Sequence, residues 1–141
     1  MTEHTAEAGW WYAGGVGTVT VARDATARFL HGSAGTAPGV DTDTALLVVS
    51  ELVTNAVKHA PGPLRLELVL RDGTLAISVC DGSTAGPVLR PPDPERVGGH
   101  GMEIVAALCR YVVTEPEPHG KRVTAVLVAP GLATRAPAQR G

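Results

Sequence analysis

The 141-residue sequence predicts a layered fold of helices packed on a β-sheet, on three observations. Aromatic residues supply only 4% of the chain, so the core has to be built from Val, Leu, Ile and Ala, the side chains that suit sheet and helix layers. Residues 42–59 carry Leu46, Val49, Val53, Ala56 and Val57 at three- and four-residue steps, the period of a helix with one apolar face. Residues 64–70 alternate leucine with Arg65, Glu67 and Val69, and a second apolar run at 75–80 follows across Arg71-Asp72-Gly73, which reads as a hairpin. The length suits one domain. With 44% hydrophobic and 18% charged residues and a slightly positive mean hydropathy, burial is able to offset the entropy of ordering the chain.

The remaining elements follow in chain order. Residues 1–15, with Gly9, Gly14 and Gly15 around Trp10-Trp11-Tyr12, show no sustained period and read as a poorly ordered arm whose aromatic triplet is free to pack elsewhere. Val16 to Val21 alternates apolar with small or polar residues like a half-buried strand, and residues 22–30 turn helical. The Gly/Pro/Ser-rich stretch 32–39 breaks that helix, and Asp41 or Thr42 offers the N-cap of the next. Pro61-Gly62-Pro63 ends it.

Residues 81–99 are rich in Gly, Pro and charge, too long for a turn and of the length of a functional lid. Gly98-Gly99-His100-Gly101 opens a helix over 102–111 with Ile104, Val105 and Leu108 on one face. Val112-Val113 and Arg122 to Val128 form a last strand pair across 116–120, and the tail 130–141 reads as disordered. The folded domain is expected over 16–129.

Composition narrows the function. A net charge of −2 argues against a broad nucleic-acid footprint, which needs a strongly basic face. No run of about 20 apolar residues and no leader with a cleavage site is visible, so neither a membrane span nor secretion is expected and the cytoplasm is the default. Cys80 and Cys109 stand in apolar contexts without metal-ligand spacing and read as reduced, buried thiols.

Three features carry candidate chemistry. Glu51 and Asn55 are four residues apart and Lys58 seven from Glu51, so on a helix they form one stripe of carboxylate, amide and amine, suited to act as base, metal ligand and phosphate contact. By itself such a stripe is more often a solvated helix face. Asp81 ends an apolar strand and precedes Gly82, which places a carboxylate at the mouth of a sheet, where it could accept a hydrogen bond from an adenine amine or serve as an ordinary turn aspartate. The glycines at 98, 99 and 101 would let backbone N–H groups at a helix start approach phosphates, or simply give a linker.

The order and spacing of all three resemble a known family. Ser50-Glu51-Leu52-Val53-Thr54-Asn55-Ala56-Val57-Lys58-His59-Ala60 is similar to the N box of the GHKL ATPase and kinase superfamily. The strand ending at Asp81 resembles its first glycine box, Gly99-His100-Gly101-Met102 its second, and Gly120-Lys121-Arg122-Val123-Thr124-Ala125 its last strand motif. The likeness covers about residues 16–128 and is strongest to the compact bacterial anti-sigma-factor serine/threonine kinases and related actinomycete ATP-binding regulators.

That resemblance implies an α+β fold, a two-layer sandwich with a mixed, mostly antiparallel sheet covered on one face by helices. It implies ATP and Mg2+ as cofactors. Glu51 would be the general base, Asn55 the magnesium ligand and Lys58 a phosphate contact; Asp81 would read adenine, and Gly99, His100, Gly101, Met102 and Thr124 would complete the nucleotide site. The implied partners are a sigma factor and an anti-anti-sigma protein whose serine is phosphorylated, and a homodimer is admitted, with Trp10-Trp11-Tyr12 as a contact.

The chain departs from the pattern in three places. Ser83 and Ala85 stand where the first glycine box has glycines, His100 where close relatives often have arginine, and Lys121-Arg122 where a threonine usually follows the last glycine, leaving Thr124 further along. A non-catalytic protein-binding module with weakened or lost ATP binding is therefore the competing expectation.

Overall fold

The computed structural model describes residues 5–33, 40–82 and 101–129. Their elements run β1 (Thr5–Tyr12), α1 (Thr18–Gly32), α2 (Thr42–His59), β2 (Leu64–Arg71), β3 (Thr74–Asp81), α3 (Gly101–Leu108), β4 (Tyr111–Glu117) and β5 (Gly120–Val128). The five strands form one sheet in the order β1-β2-β3-β5-β4, and the expected mixed sheet is antiparallel at each of these four pairings. The fold is an α+β sandwich with three helices.

Strand parity sets the two faces of the sheet. Leu64, Leu66, Leu68 and Leu70 of β2 and Leu75, Ile77 and Val79 of β3 are almost fully buried in the core shared with Val48, Val49, Leu52, Val53 and Ala56 of α2. The intervening residues Arg65, Glu67, Ser78 and Cys80, registered with one another as Arg65↔Cys80 and Glu67↔Ser78, point to the opposite face, because successive side chains alternate across a strand. The hairpin between β2 and β3 turns on Asp72 and Gly73, both at positive φ (46° and 80°), the backbone twist that joins two antiparallel strands tightly.

α2 starts where the sequence places it. Asp41 is its N-cap and accepts from the Thr44 N–H at 3.3 Å, while Asp43 in the first turn and Lys58 and His59 in the last complement the helix dipole. Its buried stripe is Ala45, Val48, Val49, Leu52, Val53 and Ala56, rotated slightly from the expected one, so that Leu46 and Val57 are only half-buried. α1 packs along α2, tied by Arg23 Nη1 donating to Ser50 Oγ at 2.9 Å while Ser50 Oγ donates to the Leu46 carbonyl at 2.8 Å.

Two N-terminal expectations are overturned. The N-terminal segment expected as a poorly ordered arm contains β1, which pairs with β2 from Thr5↔Arg71 to Tyr12↔Leu64. Its alternation is carried by small residues, Ala6 and Ala8, before Trp10 and Tyr12 take over the same face; Trp10 meets Phe29 of α1 edge-on at 6.5 Å, and Trp11 faces the other way. The strand expected at Val16 to Val21 is instead a turn and the first helical turn: Gly17 caps α1 and the Thr18 hydroxyl donates to the Gly15 carbonyl. Burial then recurs at Thr18, Ala22, Ala25, Thr26 and Leu30, the helical period, which six alternating residues could not reveal.

The C-terminal half also shifts. α3 stops at Leu108 rather than near Tyr111, because the chain is already turning into β4, where the Arg110 N–H donates to the Val126 carbonyl. Met102 and Val105 are its buried residues, whereas Ile104 and Leu108, expected on the core face, are 38% and 41% exposed. Residues 83–99 of the expected lid and the tail from 130 lie outside the described residues. Among the described residues no helix is long and apolar enough to cross a membrane.

Candidate functional site

The site is built where α2, the start of α3 and one end of the sheet come together. α2 packs on β3 and β5 and also on α3, so the helix with the polar stripe sits over the strands that end in Asp81 and begin with Gly120. Glu51 and Asn55, one turn apart, are half-buried, and neither side chain makes a hydrogen bond among the described residues; Lys58, at the solvent end of the stripe, is exposed.

Gly101 brings the second glycine motif to that stripe. A side chain at Gly101 would run into the Glu51 carboxylate, whose Cδ lies 3.3 Å from where a Cβ would stand, so glycine here lets the start of α3 lie directly against the acid. Met102, the next residue, is 8% exposed and belongs to the hydrophobic core. Gly99 and His100 lie outside the described residues.

At the sheet end, Asp81 is not a turn aspartate exposed to solvent. It is the last residue of β3, registered opposite Lys121 of β5, and the Lys121 ammonium donates to both Oδ1 and Oδ2 at 3.0 Å. The two side chains are 2% and 4% exposed. Gly120 makes the approach possible, since a side chain there would overlap the Asp81 carbonyl and stand 2.8 Å from the Gly82 Cα. Asp81 and Lys121 share strand parity with Val79 and Val123, which lie in the helix-covered core.

Thr124 requires a correction. It is registered opposite Ser78, with the two hydroxyls hydrogen-bonded at 2.8 Å, on the face of the sheet turned away from the helices. Parity decides this: Thr124 lies three positions after Lys121, an odd offset, so they point to opposite faces. The residue on the face of Asp81 is Lys121, and the period-two rule applied to the last strand could have selected it from the sequence.

The opposite face holds a different charge system. Arg122 bonds Glu67 and Glu117, and Arg65 bonds Glu67 while standing 5.6 Å over the Trp11 ring. The hydrogen bond from Arg122 holds the Glu67 carboxyl below its usual range, with partial burial opposing and Arg65 assisting. Burial pushes both Cys80 and Cys109 up to about 11, so they remain thiols at neutral pH, and both cysteines are free.

The architecture is that of the GHKL-type sandwich. The chain belongs to the histidine kinase-like ATPase domain family, whose model matches residues 16–127, and membership implies an ATP site. Among solved structures it is similar to the RsbU and RsbW domains of Rv1364c from Mycobacterium tuberculosis, with a TM-score of 0.63 at 16% identity over 87% of this chain. The chain spans about a third, 32%, of that neighbour's length, and at this identity the likeness shows the fold. No curated protein matches the chain.

The residues present fit a nucleotide. A half-buried carboxylate and amide whose side chains make no hydrogen bond among the described residues, a glycine at the helix start against Glu51 and a buried acceptor–donor pair at the sheet end supply the complementary groups. Among the described residues no group of three or more His, Cys, Asp or Glu is placed to hold a metal ion.

Proposed function

We propose that the chain is an ATP-binding regulatory protein that phosphorylates a serine of a partner protein, in the manner of an anti-sigma-factor serine/threonine kinase acting on an anti-anti-sigma protein. The observation that carries this reading is the contact of Glu51 with the start of α3, which joins the N-box acid to the second glycine motif. Asn55, one turn below, would hold Mg2+ together with phosphate oxygens, Lys58 would meet a phosphate from the solvent side, and backbone N–H groups near Gly101 would favour its charge. Asp81 would accept from the adenine amine.

ATP supplies the transferable phosphoryl group and Mg2+ offsets its charge. The chain's own contribution is to position both and to accept a proton: as the partner's serine oxygen bonds to the γ-phosphorus and the bond to the β-phosphate oxygen breaks, Glu51 takes the hydroxyl proton. A sigma factor would be the second partner, held inactive by protein contact. Incubation with ATP and the candidate anti-anti-sigma protein tests this, with Glu51→Ala expected to lower phosphotransfer at least a hundredfold while ATP binding stays within a few-fold. Unchanged transfer by that variant would remove Glu51 as the base.

A second reading, a protein-binding module without productive ATP binding, is favoured by two observations. The Asp81 carboxylate already has an internal cation, and Ser83 and Ala85 replace two glycines of its box. Absence of any heat on titration with Mg-ATP would select this reading.

A further inference from the structure

We propose that Lys121 is a second base-reading residue, whose ammonium donates to the ring nitrogen beside the adenine amine while Asp81 accepts from the amine itself. The inference rests on the nucleotide reading above and adds to it a residue and a selectivity. Lys121 lies on the helix-covered face, registered with Asp81, and its side chain is 4% exposed. An ammonium has three N–H donors; two are committed to Oδ1 and Oδ2 of Asp81 at 3.0 Å each, and the third has no partner among the described residues.

A buried donor is selective because leaving it opposite another donor costs the full desolvation of both. The Asp81–Lys121 pair offers an acceptor beside a donor. Adenine presents the complement on its Watson–Crick edge, an amine donor beside the N1 acceptor. Guanine in the same pose presents a carbonyl to the carboxylate and an N–H to the ammonium, so both contacts become repulsive. Lys121 therefore sets adenine over guanine as well as strengthening the adenine contact.

The bland alternative is that Lys121 serves only as a counter-ion for Asp81. Calorimetric titration of the intact chain with Mg-ATP and with Mg-1-deaza-ATP, in which N1 is replaced by C–H, separates the two. The wild-type chain is expected to bind the deaza analogue and GTP at least tenfold more weakly than ATP, and Lys121→Met to bind ATP weakly with no remaining preference over 1-deaza-ATP. Equal binding of ATP and the deaza analogue by the wild type, which needs no folded variant, overturns the assignment of Lys121 and leaves the ATP site standing. So does a Lys121→Met chain that still discriminates between them. Failure of the wild type to bind any of the three nucleotides overturns the nucleotide reading itself.

Discussion

The two faces of the sheet carry the same kinds of charged residue in opposite circumstances. On the helix-covered face, one pair, Asp81 with Lys121, is nearly sealed from water, with side chains 2% and 4% exposed. On the open face, Arg65, Glu67, Glu117 and Arg122 form a chain of ion pairs in which each side chain keeps roughly a third of its exposure or somewhat less. Water screens the open network, so its members are individually weak. The sealed pair has given up its hydration and depends on each partner.

The largest effect expected from this contrast follows removal of one sealed partner. Asp81→Ala leaves the Lys121 ammonium buried and unpaired, and chemical denaturation should show a loss of about 3–5 kcal/mol. Replacing both residues by apolar ones of similar volume should recover most of that loss. A fall below about 1 kcal/mol for the single variant would mean that the pair is wetter than its burial indicates.

Next in size is the difference between the faces in apolar packing. Leu68→Ala, on the covered face and fully buried, should cost about 2–5 kcal/mol, while Val69→Ala, its half-buried neighbour on the open face, should cost less than about 1 kcal/mol. Equal losses in thermal unfolding would indicate that something covers both faces in solution.

The smallest effect belongs to the open network. Glu67→Gln should change stability by only ~0.2–1 kcal/mol per lost pair at neutral pH and low salt. Its pH dependence gives a sharper signal. Because the folded state holds the Glu67 carboxyl below its ordinary 4.5, its contribution is present above that value and is lost as pH falls through the folded value. The wild-type stability curve should therefore decline more steeply than that of Glu67→Gln below pH 4.5, and parallel acid limbs would show that the Arg122 hydrogen bond adds nothing.

How much of this was readable from sequence depends on which signal each part left. α2 was legible because an 18-residue helix repeats its apolar stripe several times and Asp41 marks its start. The β2–β3 hairpin was legible from alternating leucines and the Asp72-Gly73 turn. β1 was hidden because alanine and glycine occupy positions whose alternation normally shows through large side chains, and its pairing with β2 is a long-range contact that no local pattern announces. The first turn of α1 is hidden because Val16 to Val21 satisfies both periods over so short a span.

At the candidate site the same distinction holds. The spacing of Glu51 and Asn55 places them on one helix face without any knowledge of the fold. The Glu51–Gly101 contact spans fifty residues and needed the packing of α3 on α2. Residue type alone points to Thr124, but strand parity puts its hydroxyl on the open face, and the side chain that meets Asp81 on the covered face is Lys121.

The central claim is that the Glu51–Asn55 face of α2, with Asp81 at the sheet end, forms a magnesium-nucleotide site. Calorimetric titration with ATP in the presence and absence of Mg2+, on the wild type and on Asn55→Ala, tests it most directly. The expected result is wild-type binding that weakens at least tenfold when magnesium is withheld, with Asn55→Ala weak in both conditions. Binding that ignores both magnesium and the loss of Asn55 would contradict it.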